Sequence, residues 1–127
     1  MNKQILVIDD EEAVRKSFQL ALEDSGYIVE TADCGNTGIS KFKRTKYDLI
    51  FLDLKMPDKN GADVLREIRE INKTIPIYIV TAFHEEFLDK LESARKDNLH
   101  FELMQKPLGM EEINLIVNSI LKDSLGS

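Results

Sequence analysis

The chain has 127 residues, 43% hydrophobic and 31% charged, a globular composition that suits one domain and argues against intrinsic disorder. Lys plus Arg total 17 against 23 Asp plus Glu, a formal net charge of −6, which argues against a nucleic-acid backbone or an anionic membrane as the main partner. Cys34 is the only cysteine, so no intrachain disulfide can form and a reducing, cytoplasmic setting is expected, while no apolar run approaches the roughly 18 residues of a membrane span.

In chain order, short apolar runs fall at Ile5 to Ile8, Tyr27 to Ala32, Leu49 to Leu52, Ile75 to Val80 and Phe101 to Met104. Segments with helical period lie between them. The first carries Val14, Phe18, Ala21 and Leu22 on one face, and Gly26 follows it where a left-handed cap residue belongs. The second runs from Asn36 to Lys46 with Ile39 and Phe42. The third opens at Gly61, after the turn Met56-Pro57-Asp58-Lys59-Asn60, and carries Val64, Leu65, Ile68 and Ile71. Leu88, Leu91 and Ala94 mark the fourth, and Ile113, Ile116, Val117, Ile120 and Leu121 the fifth. This alternation needs right-handed crossovers and predicts a doubly wound α/β fold, a parallel sheet covered on both faces. The runs at Ile5, Leu49 and Ile77 are almost wholly apolar, as doubly covered strands are, whereas Tyr27 to Ala32 mixes in polar residues and reads as an edge. The basic cluster Lys41, Lys43, Arg44 and Lys46 reads as a solvated helix face.

Parallel strands end on one rim, so the residues just after the apolar runs meet there. The first run ends in Asp9 and Asp10, the third in Asp53, the fourth in Thr81, the fifth in Gln105, Lys106 and Pro107. Three clustered carboxylates raise one another's pKa unless a cation sits among them. All-oxygen ligation suits a hard divalent ion, and magnesium fits better than calcium because it takes fewer carboxylates and leaves positions for phosphate oxygens. Lys106 adds a positive charge for an incoming anion, so the set has the parts for phosphoryl transfer, with Asp53 the natural nucleophile. Taken singly, each residue has a plainer role. Asp9 to Glu12 would cap a helix, Asp53 would open a turn, Thr81 would be a β-former and Lys106 a snorkelling surface lysine. Only their joint placement on one rim goes unexplained by those roles.

The motifs Ile5-Leu6-Val7-Ile8-Asp9-Asp10, Leu52-Asp53-Leu54-Lys55-Met56-Pro57 with Gly61, Val80-Thr81-Ala82 and Lys106-Pro107 resemble the receiver domain of two-component response regulators, over essentially the whole chain. The resemblance implies a flavodoxin-like five-stranded sheet in the order 2-1-3-4-5 with five helices, one receiver domain over residues 1–127. It implies a phosphoryl group arriving on Asp53 from a phosphohistidine on a kinase or phosphotransfer protein. It further implies Asp10 as a direct Mg2+ ligand, Asp9 acting largely through water, and the Lys55 carbonyl completing the ligands together with Asp53. Lys106, the Thr81 hydroxyl and the backbone amides of Lys55 and Ala82 would hold the phosphoryl oxygens, and the bond before Pro107 would be cis. Switching would pull Thr81 inward and change the surface of helix four, strand five and helix five, where a downstream protein docks and self-association stays open.

Two departures from the family pattern stand out. Leu103 occupies the position, three residues before Lys106, where the family commonly has an aromatic, with Phe101 two positions earlier; and Asn98-Leu99-His100-Phe101 replaces a frequent Gly-Ala pair. Lys55 places another cation near the site and is expected to change the lifetime of the phosphorylated state. His84, His100 and Cys34 are too scattered for a zinc site, and Phe83, Phe87 and Leu115 are candidates for a partner surface. A haloacid-dehalogenase-like phosphatase would need a general acid where Lys55 stands, and a flavodoxin-like electron carrier would need a phosphate cradle where Asp9 to Glu12 stand. A degenerate receiver serving only as a binding module would lack the acidic pair, the acceptor or the lysine, and all are present. The short tail suggests a free-standing receiver, but the sequence is equally that of a fragment of a longer regulator, with Gly126-Ser127 native or a cloning remnant.

Overall fold

The computed structural model describes residues 2–82 and 85–121. Its strands are β1 (Gln4–Ile8), β2 (Ile28–Ala32), β3 (Leu49–Leu52), β4 (Ile77–Thr81) and β5 (Glu102–Gln105), and its helices α1 (Glu12–Glu23), α2 (Gly35–Arg44), α3 (Gly61–Ile71), α4 (Leu88–Lys96) and α5 (Met110–Leu121). A single 3-10 turn, Glu85–Phe87, leads into α4. All four strand pairings are parallel, as the alternation led us to expect, and the order is β2-β1-β3-β4-β5, as the resemblance implied.

Side chains along a strand point alternately to opposite faces, and the two core clusters divide accordingly. Leu6 and Ile8, Ile50 and Leu52, and Ile77 and Ile79 pack with α2, α3 and α4 through Ile39, Phe42, Val64, Leu65, Ile68, Leu91 and Ala94. The intervening Ile5, Val7, Leu49, Phe51 and Val80 pack with α1 and α5 through Phe18, Ala21, Leu22, Ile113, Val117 and Leu121. β1 and β3 lie buried on both faces, which explains their unbroken apolar runs. β2 is an edge, as its mixed composition predicted, and β5 forms the other.

Three strands begin later than their apolar runs. The Tyr27 N–H is taken by the Leu22 carbonyl in the turn that ends α1, where Gly26 adopts φ +92°. Ile75 donates its N–H to Asn72 Oδ1 in the turn after α3, and Phe101 precedes the first paired residue of β5. Ile71 and Leu88, expected on buried faces, are exposed; they stand at the last position of α3 and the first of α4, where a helix outruns its packing partner. Phe83, His84, Gly126 and Ser127 lie outside the described residues. Among the described residues no helix is long and apolar enough to cross a membrane.

Candidate functional site

The sheet hydrogen bonding continues one step beyond the strand ends and thereby fixes the backbone of the site. Asp9 N–H donates to the Ala32 carbonyl (3.0 Å), Asp53 N–H to the Ile8 carbonyl (2.9 Å) and Lys106 N–H to the Thr81 carbonyl (2.8 Å). The three side chains named from the sequence are thus presented from β1, β3 and β5 at one rim. Carboxylate oxygens of Asp9, Asp10 and Asp53 all lie within 4.8 Å of one another. Asp9 and Asp53 are each 3% exposed, whereas Asp10 is open to solvent.

Lys106 Nζ reaches three carboxylates: Glu11 Oε1 at 2.7 Å, Asp9 Oδ2 at 3.0 Å and Asp53 Oδ1 at 3.5 Å. Asp9 Oδ1 accepts the Glu11 N–H (2.9 Å) and Asp53 Oδ1 accepts the Leu54 N–H (2.9 Å). Burial, with the neighbouring Asp9 charge next, pushes the Asp53 carboxyl up to about 7; Lys106 opposes this and Asp10 adds to it. Burial likewise raises Asp9, against the Glu11 N–H and Lys106, which lower it. Burial works to lower the Lys106 ammonium, but its contacts with Glu11, Asp9 and Asp53 outweigh that and hold it above its ordinary value. Two buried carboxyls strained upward beside an all-oxygen donor set fit a hard divalent cation, which would relieve the repulsion.

The loop after β3 ties this cluster to two helices. Asp58 Oδ1 and Oδ2 accept the N–H groups of Gly35 (3.0 Å) and Asn36 (2.8 Å) at the start of α2, and Asn60 Oδ1 caps α3 by accepting the Asp63 N–H. Gly61 donates its N–H to the Leu54 carbonyl at 2.7 Å. A Cβ on Gly61 would sit 2.3 Å from the Asp53 carbonyl oxygen, so only glycine lets α3 start against the acceptor's own backbone.

The remaining predicted residues fall as follows. Thr81 is buried at the end of β4, Ala82 and Lys55 are exposed, and both of the latter line a cavity of about 440 Å³ with Asp10, Glu11, Asp53, Met56, Pro57 and Lys106. The Lys106-Pro107 bond is cis. Leu103 is 40% exposed, while Phe101 is buried ahead of β5 with the Arg95 guanidinium carbon 4.1 Å from its ring centroid. Cys34 and His100 stand apart from the acidic cluster, and Leu115 is 70% exposed on α5 while Phe87 is half-buried against the core.

Two residues escaped the sequence reading. Glu11 was given no role beyond the helix-capping one of the tetrad Asp9 to Glu12, yet at the N-cap position of α1 it makes no side-chain cap bond and turns to Lys106 instead. Asp58 was read only as part of a turn, because a cap supplied from another loop leaves no local spacing to find it by.

A parallel sheet with an acidic pocket and a lysine at its carboxyl rim defines a doubly wound α/β domain with a charged site at its strand ends, and comparison with known proteins specifies it. Residues 5–118 match the response regulator receiver domain, and this chain belongs to that family of two-component signalling proteins. It is 41% identical over 127 residues to the alkaline phosphatase synthesis transcriptional regulatory protein PhoP of Bacillus subtilis, covering 98% of this chain and 50% of that protein. It is 36% identical to the transcriptional regulatory protein ResD of the same organism, covering 94% and 48%. The chain therefore spans about half the length of these curated relatives. The crystal structure of response regulator protein TrrA from Thermotoga maritima, in complex with Mg(2+)-BeF, superposes with a TM-score of 0.77 at 34% identity, covering 94% of this chain and 99% of that one. A CheY-like receiver domain from Methanospirillum hungatei shares the fold with a TM-score of 0.85 at 24% identity, covering 97% and 96%.

Proposed function

We propose that this domain accepts a phosphoryl group on Asp53 from a phosphohistidine of a histidine kinase or histidine phosphotransfer protein, in a Mg2+-dependent step of a cytoplasmic two-component system or phosphorelay. The observation that carries this reading is the buried Asp53 carboxyl, raised to about 7, placed among Asp9, Asp10 and Lys106 at one rim. A carboxyl held there is a poor nucleophile while protonated, so neutralisation of its neighbours is the condition for reaction. Asp9, Asp10, Asp53 and the Lys55 carbonyl would hold Mg2+, which when bound supplies that neutralising charge to carboxylates and phosphoryl oxygens.

In the transfer, an ionised Asp53 oxygen forms the new bond to phosphorus as the phosphorus–nitrogen bond breaks, and the electron pair leaves with the imidazole nitrogen. Lys106, the Thr81 hydroxyl and the backbone amides of Lys55 and Ala82 would meet the three phosphoryl oxygens. Water attack on phosphorus later returns the carboxylate and inorganic phosphate, so the domain turns over only its own modification. The phosphorylated state would draw Thr81 inward and alter the face formed by α4, β5 and α5, to which a downstream protein or a second copy would dock.

The test is intact mass after incubation with acetyl phosphate and Mg2+, with Asp53→Asn and metal-free samples alongside. One phosphoryl addition, lost in both controls, is the expected result. No addition from acetyl phosphate and no beryllofluoride binding by the unaltered protein would overturn the reading.

A further inference from the structure

Lys106 faces more carboxylate than one ammonium can serve once a phosphoryl group arrives. Its shortest contact is with Glu11 Oε1 at 2.7 Å, not with the acceptor Asp53 at 3.5 Å. The partners differ in what their release costs. The Asp9 and Asp53 side chains are 4% exposed and the Glu11 side chain 60%, so Glu11 is the partner whose release from Lys106 costs least in desolvated charge. The Glu11 backbone is meanwhile pinned to the acid pair, because its N–H donates to Asp9 Oδ1 (2.9 Å), so only its side chain has to turn. An ammonium has three donors, and Glu11 and Lys106 both line, with Asp53, the cavity where a phosphoryl group would enter.

We propose that Glu11 is a positioning residue acting through Lys106: a releasable counter-ion that holds the lysine in the resting site and competes with phosphoryl oxygens for it. This rests on the phosphoacceptor reading of the site. Glu11 thereby sets how tightly the domain holds a phosphoryl group or its mimic and how fast it takes one up. Asp9 and the acceptor cannot serve this purpose, since withdrawing either from Lys106 leaves a buried charge unpaired.

The probe is beryllofluoride in saturating Mg2+, titrated calorimetrically, together with the rate of phosphorylation by acetyl phosphate followed by intact mass. Glu11→Gln should bind beryllofluoride about three- to five-fold tighter, the upper yield of one partly exposed ion pair, and should phosphorylate faster by a similar factor. Glu12→Gln is the matched control, because Glu12 pairs with Lys16 at 3.3 Å and carries the same charge one residue on without touching Lys106. It should stay within about two-fold of the parent, as expected for an exposed charge under screening. The 15N resonance of the Lys106 ammonium should move in Glu11→Gln and hold still in Glu12→Gln, a signature that a merely structural role would not produce. Glu11→Asp keeps the charge but is one methylene shorter, and should gain in the same direction by less. Equal gains in Glu11→Gln and Glu12→Gln, or no gain in Glu11→Gln while the parent reacts normally, would overturn the inference alone. A parent that takes up neither phosphoryl group nor beryllofluoride would overturn the phosphoacceptor reading and this inference with it.

Discussion

Replacing Asp53 by Asn removes a buried charge and keeps the shape of the side chain, and the structure indicates that the metal-free protein becomes more stable for it. The Asp53 carboxyl is raised from 3.8 to about 7, by burial first and by Asp9 second. A folded-state pKa above the unfolded value means that the folded protein holds a proton which the unfolded chain has released. The associated stability is fully present below about pH 4 and is lost as pH rises through about 7, where the ionised form is destabilised by up to about 4 kcal/mol. The amide forgoes attraction to Lys106, the longest of that lysine's three contacts at 3.5 Å, but retains an acceptor for the Leu54 N–H. The net gain expected for Asp53→Asn at pH 8 is about 1–3 kcal/mol, shrinking toward zero near pH 4. Urea unfolding in EDTA, followed by circular dichroism between pH 4 and pH 8.5, reads it directly. A variant less stable than the parent at pH 8, or a difference that ignores pH, would refute the assignment of Asp53 as a strained, buried carboxyl.

Magnesium should raise the unfolding midpoint of the parent more at pH 8 than at pH 5.5, since ligand carboxylates must be ionised, and should do so much less in Asp53→Asn; equal shifts in the two proteins would remove Asp53 from the ligand set. Gly61→Ala places a Cβ against the Asp53 carbonyl oxygen and should cost about 1–3 kcal/mol, while slowing phosphorylation because the strain falls on the acceptor's own peptide; denaturant unfolding and mass spectrometry together check both. Asp58→Ala uncaps α2 and should cost about 0.5–2 kcal/mol at pH 7. Burial raises the Asp58 carboxyl, but the Asn36 and Gly35 N–H groups outweigh it and leave the group below its ordinary value, so this contribution is present at neutral pH and is lost as pH falls through that lowered value, which unfolding across pH 2 to 6 would show. Lys55→Ala should change the hydrolysis rate of the phosphorylated state, because Lys55 lines the same cavity as Asp53; an unaltered rate measured by phosphate release would rule that role out.

Much of this protein was legible in the chain alone, for physical reasons that differ from element to element. The unbroken apolar runs of β1, β3 and β4 required burial on both faces, and with helical segments between them that left a parallel sheet as the solution. Because parallel strands all end on one rim, the residues after Ile8, Leu52, Val80 and Met104 could be gathered into a site without any coordinates. Gly26 and Gly61 were readable because a left-handed cap and a helix start leave local signatures.

Interactions between segments left no such signature. The reach of Lys106 to Glu11 spans 95 residues, and nothing in Asp9 to Glu12 distinguishes a helix cap from a lysine partner. Asp58 caps a helix 22 and 23 residues away, across a loop whose composition announces only a turn. The level to which Asp53 is raised depends on how many other charges are drawn into the same buried volume, and that number is fixed only when the strands are laid side by side. Local chemistry and periodicity are written in the order of the residues, so the parallel sheet, its two covered faces and the residues at the strand ends were readable from the chain. Distances between carboxylates and an ammonium are set by packing, so which of them Lys106 prefers was decided only by the tertiary structure.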